Sequence, residues 1–511
     1  MDYGSVALLA LTTVALISVS QKFLSAWWCR QLPFPPGPSP YPIIGNIRDI
    51  PTKLPWVTYK EWGSQYGSDI VHASALGQHI VVVNSVKTAV EIFEKRAHVY
   101  SDRPVLTMVE LMGWDFCFAF LPGGDKWRDY RRIFHQHFRQ DVSRNYYPIQ
   151  MKKVHLLLQA LLSDPQEFRE HLKTLAAAII MATVYGYEVQ QTNDHFVGLA
   201  EDANKRFSES FFPGAVAVNI FPILRYLPSW MPGANFQRFA VECRQLIKEM
   251  REAPFNFVKQ NMRDGTDSTS VVARLLESNR YDEVAIKDVA GAAYAGGADT
   301  SVSSLASFFL AMALHPDIQK RAQTEIDTVI GTDRLPEFED RPSLPFVEAL
   351  YRELMRWKPV APLGVAHAST ADDVYNGYFI PKGTTVISNI WAMTRDESIY
   401  PEPERFNPDR FFTADGKLND DDTVLAFGFG RRICVGRHNA EATVWATLVS
   451  VLSTFNIAKA KDDTGKEIEI DPDRYSYGMV SHPQPFACSI IPRSETAQSL
   501  VRATMLETHD F

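Results

Sequence analysis

Residues 426–437 read Ala-Phe-Gly-Phe-Gly-Arg-Arg-Ile-Cys-Val-Gly-Arg, and no other stretch constrains the fold of this chain as tightly. They set one cysteine among glycines and arginines, then lead into apolar residues at helical spacing from Val435 to Leu452. Cys434 therefore falls at a helix start. Free backbone N–H groups and the helix dipole favour negative charge there, which stabilises the thiolate, the form that ligates metals. Gly428, Gly430 and Gly436 let the backbone approach something flat and bulky without a Cβ in the way. Arg432 offers a fixed charge to an anionic group. Cys434 reads as a metal ligand.

The pattern Phe-x-x-Gly-x-Arg-x-Cys-x-Gly at Phe427, Gly430, Arg432, Cys434 and Gly436 resembles the haem-ligand loop of the cytochrome P450 monooxygenases. The resemblance implies a mainly α fold with small β-sheets (α+β), and haem b whose proximal metal ligand is the Cys434 thiolate. It also implies an open distal position for dioxygen, with O–O cleavage favoured by electron donation from the thiolate.

Further motifs follow the order expected of that family. Trp127 and Arg131 stand at i and i+4 on one helical face, and Trp-x-x-x-Arg resembles the position from which both side chains reach a haem propionate. A long helical pattern runs from about Asp282 to Leu314 and contains Ala295-Gly-Gly-Ala-Asp-Thr300. Each interior glycine costs up to about 1 kcal/mol, which a flat ligand and a groove for dioxygen would justify. Gly-x-Asp-Thr at 297–300 is similar to the family's oxygen-activation motif, which implies a proton path through Asp299 and Thr300. Glu353 and Arg356, at i and i+3, match Glu-x-x-Arg, a structural ion pair that an arginine downstream joins; Arg405 is expected in that place. His367 occupies the position of a propionate-binding arginine or histidine, so the cofactor-binding set is Trp127, Arg131, His367, Phe427, Arg432, Cys434 and Gly436.

Composition agrees with one large enzyme. The chain has 511 residues, 46% of them hydrophobic, and a net charge of -8 without a long basic run, which argues against nucleic acid as a partner. Five scattered cysteines form neither a disulfide framework nor metal-knuckle spacing, so a reducing compartment is the simpler reading.

Residues Tyr3 to Val19 are uncharged and apolar, and Trp27 and Trp28 supply interfacial anchors. Lys22 and Arg30 follow the run, which puts the bulk of the protein in the cytoplasm. A cleaved signal peptide would need a basic region first. The expected organisation is a membrane anchor over 1–30, a proline-rich hinge over 31–42 and a haem domain over 43–511, in a single-pass endoplasmic reticulum protein.

Elsewhere a strand is expected at His79–Asn84 and a helix from Val86 to Lys95. Residues 101–120 read as an irregular apolar loop, similar to the one lining the substrate pocket. Helical periodicity returns over 148–187 and 197–210. The apolar stretch 211–232 either dips into the membrane surface or packs on the body. Residues 360–365 look like a strand entering the pocket, 377–389 a turn-and-strand region, and 475–482 the last pocket-lining turn; the tail past Arg493 reads as loose.

Together these imply a monooxygenase oxidising a lipophilic small molecule with electrons from NADPH by way of a membrane-bound cytochrome P450 reductase. Lys126, Arg128, Arg132 and Arg437 are basic residues that could meet that acidic partner. The resemblance extends to fungal members acting on secondary metabolites such as terpenoids; fatty acids, sterols or xenobiotic aromatics are the alternative substrates. A haem-thiolate isomerase or dehydratase and a non-catalytic haem protein are the rival classes, and the acid–alcohol pair at Asp299 and Thr300 argues against the former.

Overall fold

The computed structural model describes residues 32–190, 193–210, 213–266 and 269–507; the anchor expected over 1–30 lies outside them. The chain divides into two units: 1–104 with 366–389, and 105–365 with 390–511.

The first unit is built on a sheet. Strands β1 (Ile70–Ala75) and β2 (Gln78–Val83) form an antiparallel hairpin. Its two-residue turn places Leu76 and Gly77 at positive φ (49° and 82°), the primed geometry that matches strand twist. Beyond β3 (His367–Ala368), β4 (Asp373–Tyr375) pairs with β5 (Tyr378–Ile380) across Asn376-Gly377. Strand β6 (Thr385–Ser388) then runs parallel to β2 and completes the order β1-β2-β6-β3. Val81, Val83 and Val386 are fully buried beneath it. Helix α1 (Pro55–Tyr66) contributes buried Trp56, Tyr59 and Trp62. The helix expected from Val86 to Lys95 forms in two pieces, α-helical to Ala89 and then π-helical, with the Ser85 hydroxyl capping its start.

The proline-rich segment is extended and docked on this same sheet. Phe34 stacks on His72 with centroids 4.8 Å apart, and His72 Nε2 lies 2.9 Å from His79 Nδ1. A Cβ on Gly37 would sit 1.9 Å from the His72 carbonyl oxygen, so glycine is required at that approach.

The second unit is a helical array threaded by one helix. Its members are α2 (Asp125–Phe138), α3 (Tyr147–Ser163), α4 (Phe168–Tyr185), α5 (His195–Glu209) and α6 (Asn235–Arg263). Then come α7 (Glu283–Leu314), α8 (Pro316–Val329), α9 (Pro345–Trp357), α10 (Arg437–Thr454) and α11 (Glu495–Glu507). Asp282 starts α7 by accepting from the Ala285 N–H at 2.7 Å. Residues 285–295 of α7 belong to one hydrophobic cluster, shared with α2, α4 and α6; residues 305–313 belong to a second, shared with α3, α9 and α10. Among the described residues α7 alone is long and apolar enough to cross a membrane, and it is buried in this unit's core. A small sheet pairs β7 (Phe455–Lys459) with β8 (Cys488–Pro492). The fold is thus mainly α with small sheets, as expected.

Three expectations are corrected. Residues 360–365 form bends and a turn in place of a strand, since Pro362 has no ladder N–H to give and Gly364 takes φ 57°. Residues past Arg493 are not loose: α11 seats Ala497, Val501 and Thr504 on one face, and Thr504 Oγ1 accepts from Gln159 of α3 at 2.8 Å. The i, i+4, i+7 spacing of small and branched residues carries that packing. Nor does Arg405 join the Glu353–Arg356 pair, since its side chain is 66% exposed and turned to Glu402. The partner is Arg410, whose Nε approaches Glu353 at 3.1 Å from the one-turn helix Pro408–Phe411. Arg356 Nε reaches the same carboxylate at 2.6 Å, and the Asn407 N–H donates to it at 2.7 Å. Arg405 contributes its carbonyl, which accepts from Arg410 Nη2 at 3.1 Å.

Arg356 still faces Glu353 in Arg410→Ala, so that variant loses one of two buried arginine partners and should lower stability by about 1–3 kcal/mol in denaturant unfolding. Arg405→Ala should stay within about 0.5 kcal/mol of the parent. In the first unit, burial and the His79 charge lower the His72 pKa from 6.5 to about 4. The unfolded chain then binds the extra proton between those values, so His72 supports the fold above about pH 6.5 and that support is lost as pH falls to about 4. Thermal midpoints recorded over that range should show a shallower acid slope in His72→Gln than in the parent.

Candidate functional site

Cys434 lies at the mouth of α10, three residues before its first helical position. Its N–H donates to the Phe427 carbonyl at 2.9 Å, which closes the glycine-rich loop on itself. Gly428 holds φ 84° there, and no atom stands within 4 Å of where its Cβ would be. The Cys434 side chain is accessible, yet protein surrounds it densely enough for desolvation to push its thiol up. A side chain that is both accessible and desolvated borders an internal void. Against desolvation work the Gly436 N–H, directed at the sulfur, and the charges of Arg131 and Arg437. Metal binding draws on the same stabilisation, because a coordinating thiol is deprotonated.

Arg131 and Trp127 do share one face of α2, as their spacing predicts, and Arg432 joins them. The Arg432 guanidinium lies 4.0 Å from the centre of the Trp127 ring, and that of Arg131 6.0 Å. Arg432 is buried and directs Nη1 toward the Phe118 carbonyl at 3.5 Å. Arg131 donates through Nη2 to the Ile433 carbonyl, the residue before Cys434, at 2.9 Å. Burial lowers the Arg131 pKa, and no Asp or Glu among the described residues forms an ion pair with it. A half-buried guanidinium lacking a carboxylate beside a desolvated thiol suits a ligand that brings a metal and a carboxylate together. A haem, with its iron and propionates, fits these residues.

In the other unit His367 is buried on β3, with Nδ1 2.7 Å from the Tyr100 carbonyl and its ring 4.5 Å from Phe93. Buried Arg103 donates to the Ala366 carbonyl at 2.9 Å, on the strand bridge where Asp102 faces Ala368. Arg103 escaped sequence reasoning, because Ser-Asp-Arg-Pro looks like an ordinary exposed turn.

Helix α7 is buried from Ala285 through Ala295 and buried again from Ser303 through Ala313; Gly296 to Thr300 interrupt it, half-buried or exposed. A core helix that becomes accessible at mid-length is facing a void. The two glycines serve different ends. Gly296 would set a Cβ in open space, whereas a Cβ on Gly297 would lie 2.6 Å from Ile180 of α4. Gly297 therefore permits close helix packing, and only Gly296 keeps the void clear. Thr300 Oγ1 donates to the Gly296 carbonyl at 2.8 Å, and Asp299 Oδ1 stands 3.1 Å from His482 Nε2.

The cytochrome P450 family model matches residues 35–489. Cytochrome P450 monooxygenase ple1 of Rhodocybe pseudopiperita is 42% identical over 483 residues, 92% of each chain. Cytochrome P450 monooxygenase COX1 of Coprinopsis cinerea is 40% identical over 489 residues, 93% of this chain and 94% of that one. Cytochrome P450 monooxygenase 208 of Postia placenta is 42% identical over 484 residues, 94% of each. The chain belongs to the cytochrome P450 family. It is a monooxygenase whose cofactor is haem, supplied with electrons by a redox partner and acting on a small molecule.

Overpacking costs about 1–3 kcal/mol, so Gly297→Ala should lower the thermal midpoint, while Gly296→Ala should hold or raise it through helix propensity. Calorimetry on the two variants side by side checks the division of roles.

Proposed function

We propose that this protein is a membrane-anchored haem-thiolate monooxygenase that oxidises a lipophilic small molecule, a fungal secondary metabolite of terpenoid type. The observation that carries the cofactor assignment is the accessible yet desolvated Cys434, with the Gly436 N–H and Arg131 beside it. Cys434 is the metal ligand of haem b, and haem so bound supplies the activation of dioxygen. Phe427 and Gly436 shape the loop around the ligand: the Phe427 carbonyl fixes the Cys434 amide, and the Gly436 amide stabilises its thiolate. Arg131, Arg432 and Trp127 bind the propionates, the guanidiniums by charge-assisted hydrogen bonds and the indole by holding Arg432 in place. For His367 the propionate role rests on the resemblance.

Asp299 and Thr300 deliver protons. Thr300, bonded to the Gly296 carbonyl, presents its hydroxyl where α7 opens; Asp299 exchanges protons on the adjacent turn. Apolar residues around the opening exclude water and orient the substrate.

The organisation is proposed as anchor 1–30, hinge 31–42 and haem domain 43–511, in the endoplasmic reticulum membrane with the catalytic domain in the cytoplasm. Support for membrane contact comes from the apolar stretch after α5. It forms a short helix, Pro213–Ile220, then a 3-10 turn that exposes Ile223 and Tyr226, with Trp230 following, all above 70% exposed. Leu224 and Leu227 instead pack on the core, so the stretch is apolar on both sides. Electrons come from an NADPH-dependent reductase docking on Lys126, Arg128, Arg132 and Arg437. The first two of these arginines already pair with Asp125 and Asp129 on their own helix, which moderates the positive surface.

Visible spectra of the ferric protein, titrated with terpenoids, sterols, fatty acids and small aromatics, should give a saturable low-to-high-spin shift with the terpenoids. A shift with another class alone would replace the substrate assignment. Cys434→Ala should abolish turnover and the thiolate signature of the reduced carbon-monoxide spectrum. Thr300→Ala should retain that spectrum and divert NADPH electrons to hydrogen peroxide.

A further inference from the structure

The turn after β7 lies along α7, and the contacts fall at helical spacing. Asp299, Ser303 and Ser307 stand at i, i+4 and i+8, one stripe of the helix. Each has a partner on the turn. Asp299 Oδ1 meets His482 Nε2 at 3.1 Å, Ser303 Oγ donates to the Ser481 carbonyl at 2.5 Å, and Ser307 Oγ lies 2.9 Å from the Tyr475 hydroxyl.

The turn is tied to itself as well. The Ser476 N–H donates to the His482 carbonyl at 2.8 Å, and the His482 N–H donates to Ser476 Oγ at 2.9 Å. The Ser481 N–H donates to the Val360 carbonyl at 2.8 Å, and Arg169 of α4 donates to the Pro483 carbonyl at 3.2 Å. The His482 backbone is therefore fixed at both its N–H and its carbonyl, with its ring Nε2 facing Asp299. The two side chains keep 25% and 32% of their surface, which is enough to exchange protons with water while facing each other.

We propose that His482 is a positioning and proton-loading residue for Asp299. The imidazolium Nε2–H passes its proton to Asp299 Oδ1, leaving neutral imidazole and a carboxylic acid; His482 then takes a proton from water, and Asp299 releases its own toward the void. No electrons move. Histidine is the side chain suited to this, since it changes charge between about pH 5 and 8. The charged and titratable groups on the neighbouring elements are Asp299 on α7, Arg169 on α4, and Tyr475 and Tyr477 on the turn itself. Arg169 is engaged with backbone carbonyls and Tyr475 with Ser307, so Asp299 is the proton acceptor in line with the ring. This inference rests on the proton-delivery role of Asp299 and Thr300 given above.

The test measures hydrogen peroxide per NADPH consumed, from about pH 6 to 8, in the haem-loaded protein with its reductase. His482→Gln keeps a donor toward Asp299 but carries no transferable proton, so its share should be raised about threefold or more over the parent across that range. Thr300→Ala should raise the share at every pH. Parent-like values across the range in His482→Gln, beside a raised Thr300→Ala, would overturn the role of His482 and leave the relay standing. An unchanged Thr300→Ala would sink the relay and this inference with it. Should His482→Gln fail to bind haem, Asp299→Asn makes the same pH comparison from the acceptor side. A second readout needs no turnover: in the ferrous carbon-monoxide protein labelled with 15N-histidine, the His482 ring resonance should move on Asp299→Asn, and an unmoved resonance would refute the pair.

Discussion

Helix α7 must be apolar to hold two hydrophobic clusters together and must also house polar side chains between them. Its 32 residues satisfy both demands by segregation along the axis. One end seals into the cluster with α2, α4 and α6, the other into the cluster with α3, α9 and α10, and the run Asp299-Thr300-Ser301 falls at the seam between them. Burial at both ends fixes the seam in place. Because an unsatisfied polar group in such surroundings costs about 1–3 kcal/mol, every polar side chain along the helix needs an answer, and the turn at 475–482 supplies three of them.

Charge is handled by a similar rule elsewhere in the unit. Glu353 is fully buried and receives Arg356, Arg410 and the Asn407 N–H, so its two oxygens are saturated. Arg356 in turn spends Nη1 on the Thr394 carbonyl at 2.9 Å. The pair is structural, since nothing around it is left to react. Arg131 is the opposite case: a desolvated cation whose protein partner is only a carbonyl. The contrast separates a charge answered by opposite charge from one that no carboxylate among the described residues answers.

Much of this was legible in the sequence where a pattern is local. The helix expected from Asp282 to Leu314 forms over Glu283–Leu314, because its cap and its closing His-Pro are both written in neighbouring letters. Trp127 and Arg131 share a face because i and i+4 must. What failed was partner choice across distance. Arg405 and Arg410 are equally arginine, and only the turn capped by Asn407 decides which one points inward. The terminal helix was missed because its apolar face is thin, one valine with small neighbours, and its burial depends on α3. His482 stood in a turn whose position was foreseen, but its partner lies 183 residues earlier in the chain, beyond any local pattern.

Buried Asp288, near the start of α7, accepts from the Tyr130 hydroxyl of α2 at 2.8 Å and from Arg251 of α6 at 3.0 Å. One carboxylate thus ties three helices, and α6 cannot slide at Arg251 without stranding a charge in the core. Before Arg251 the same helix is held again, where Arg244 donates to the Leu111 and Glu110 carbonyls at 3.0 Å. Helix α6 is thus pinned twice, by charge to α7 and by backbone carbonyls to the segment before α2, and a shift of either half must break one set of bonds.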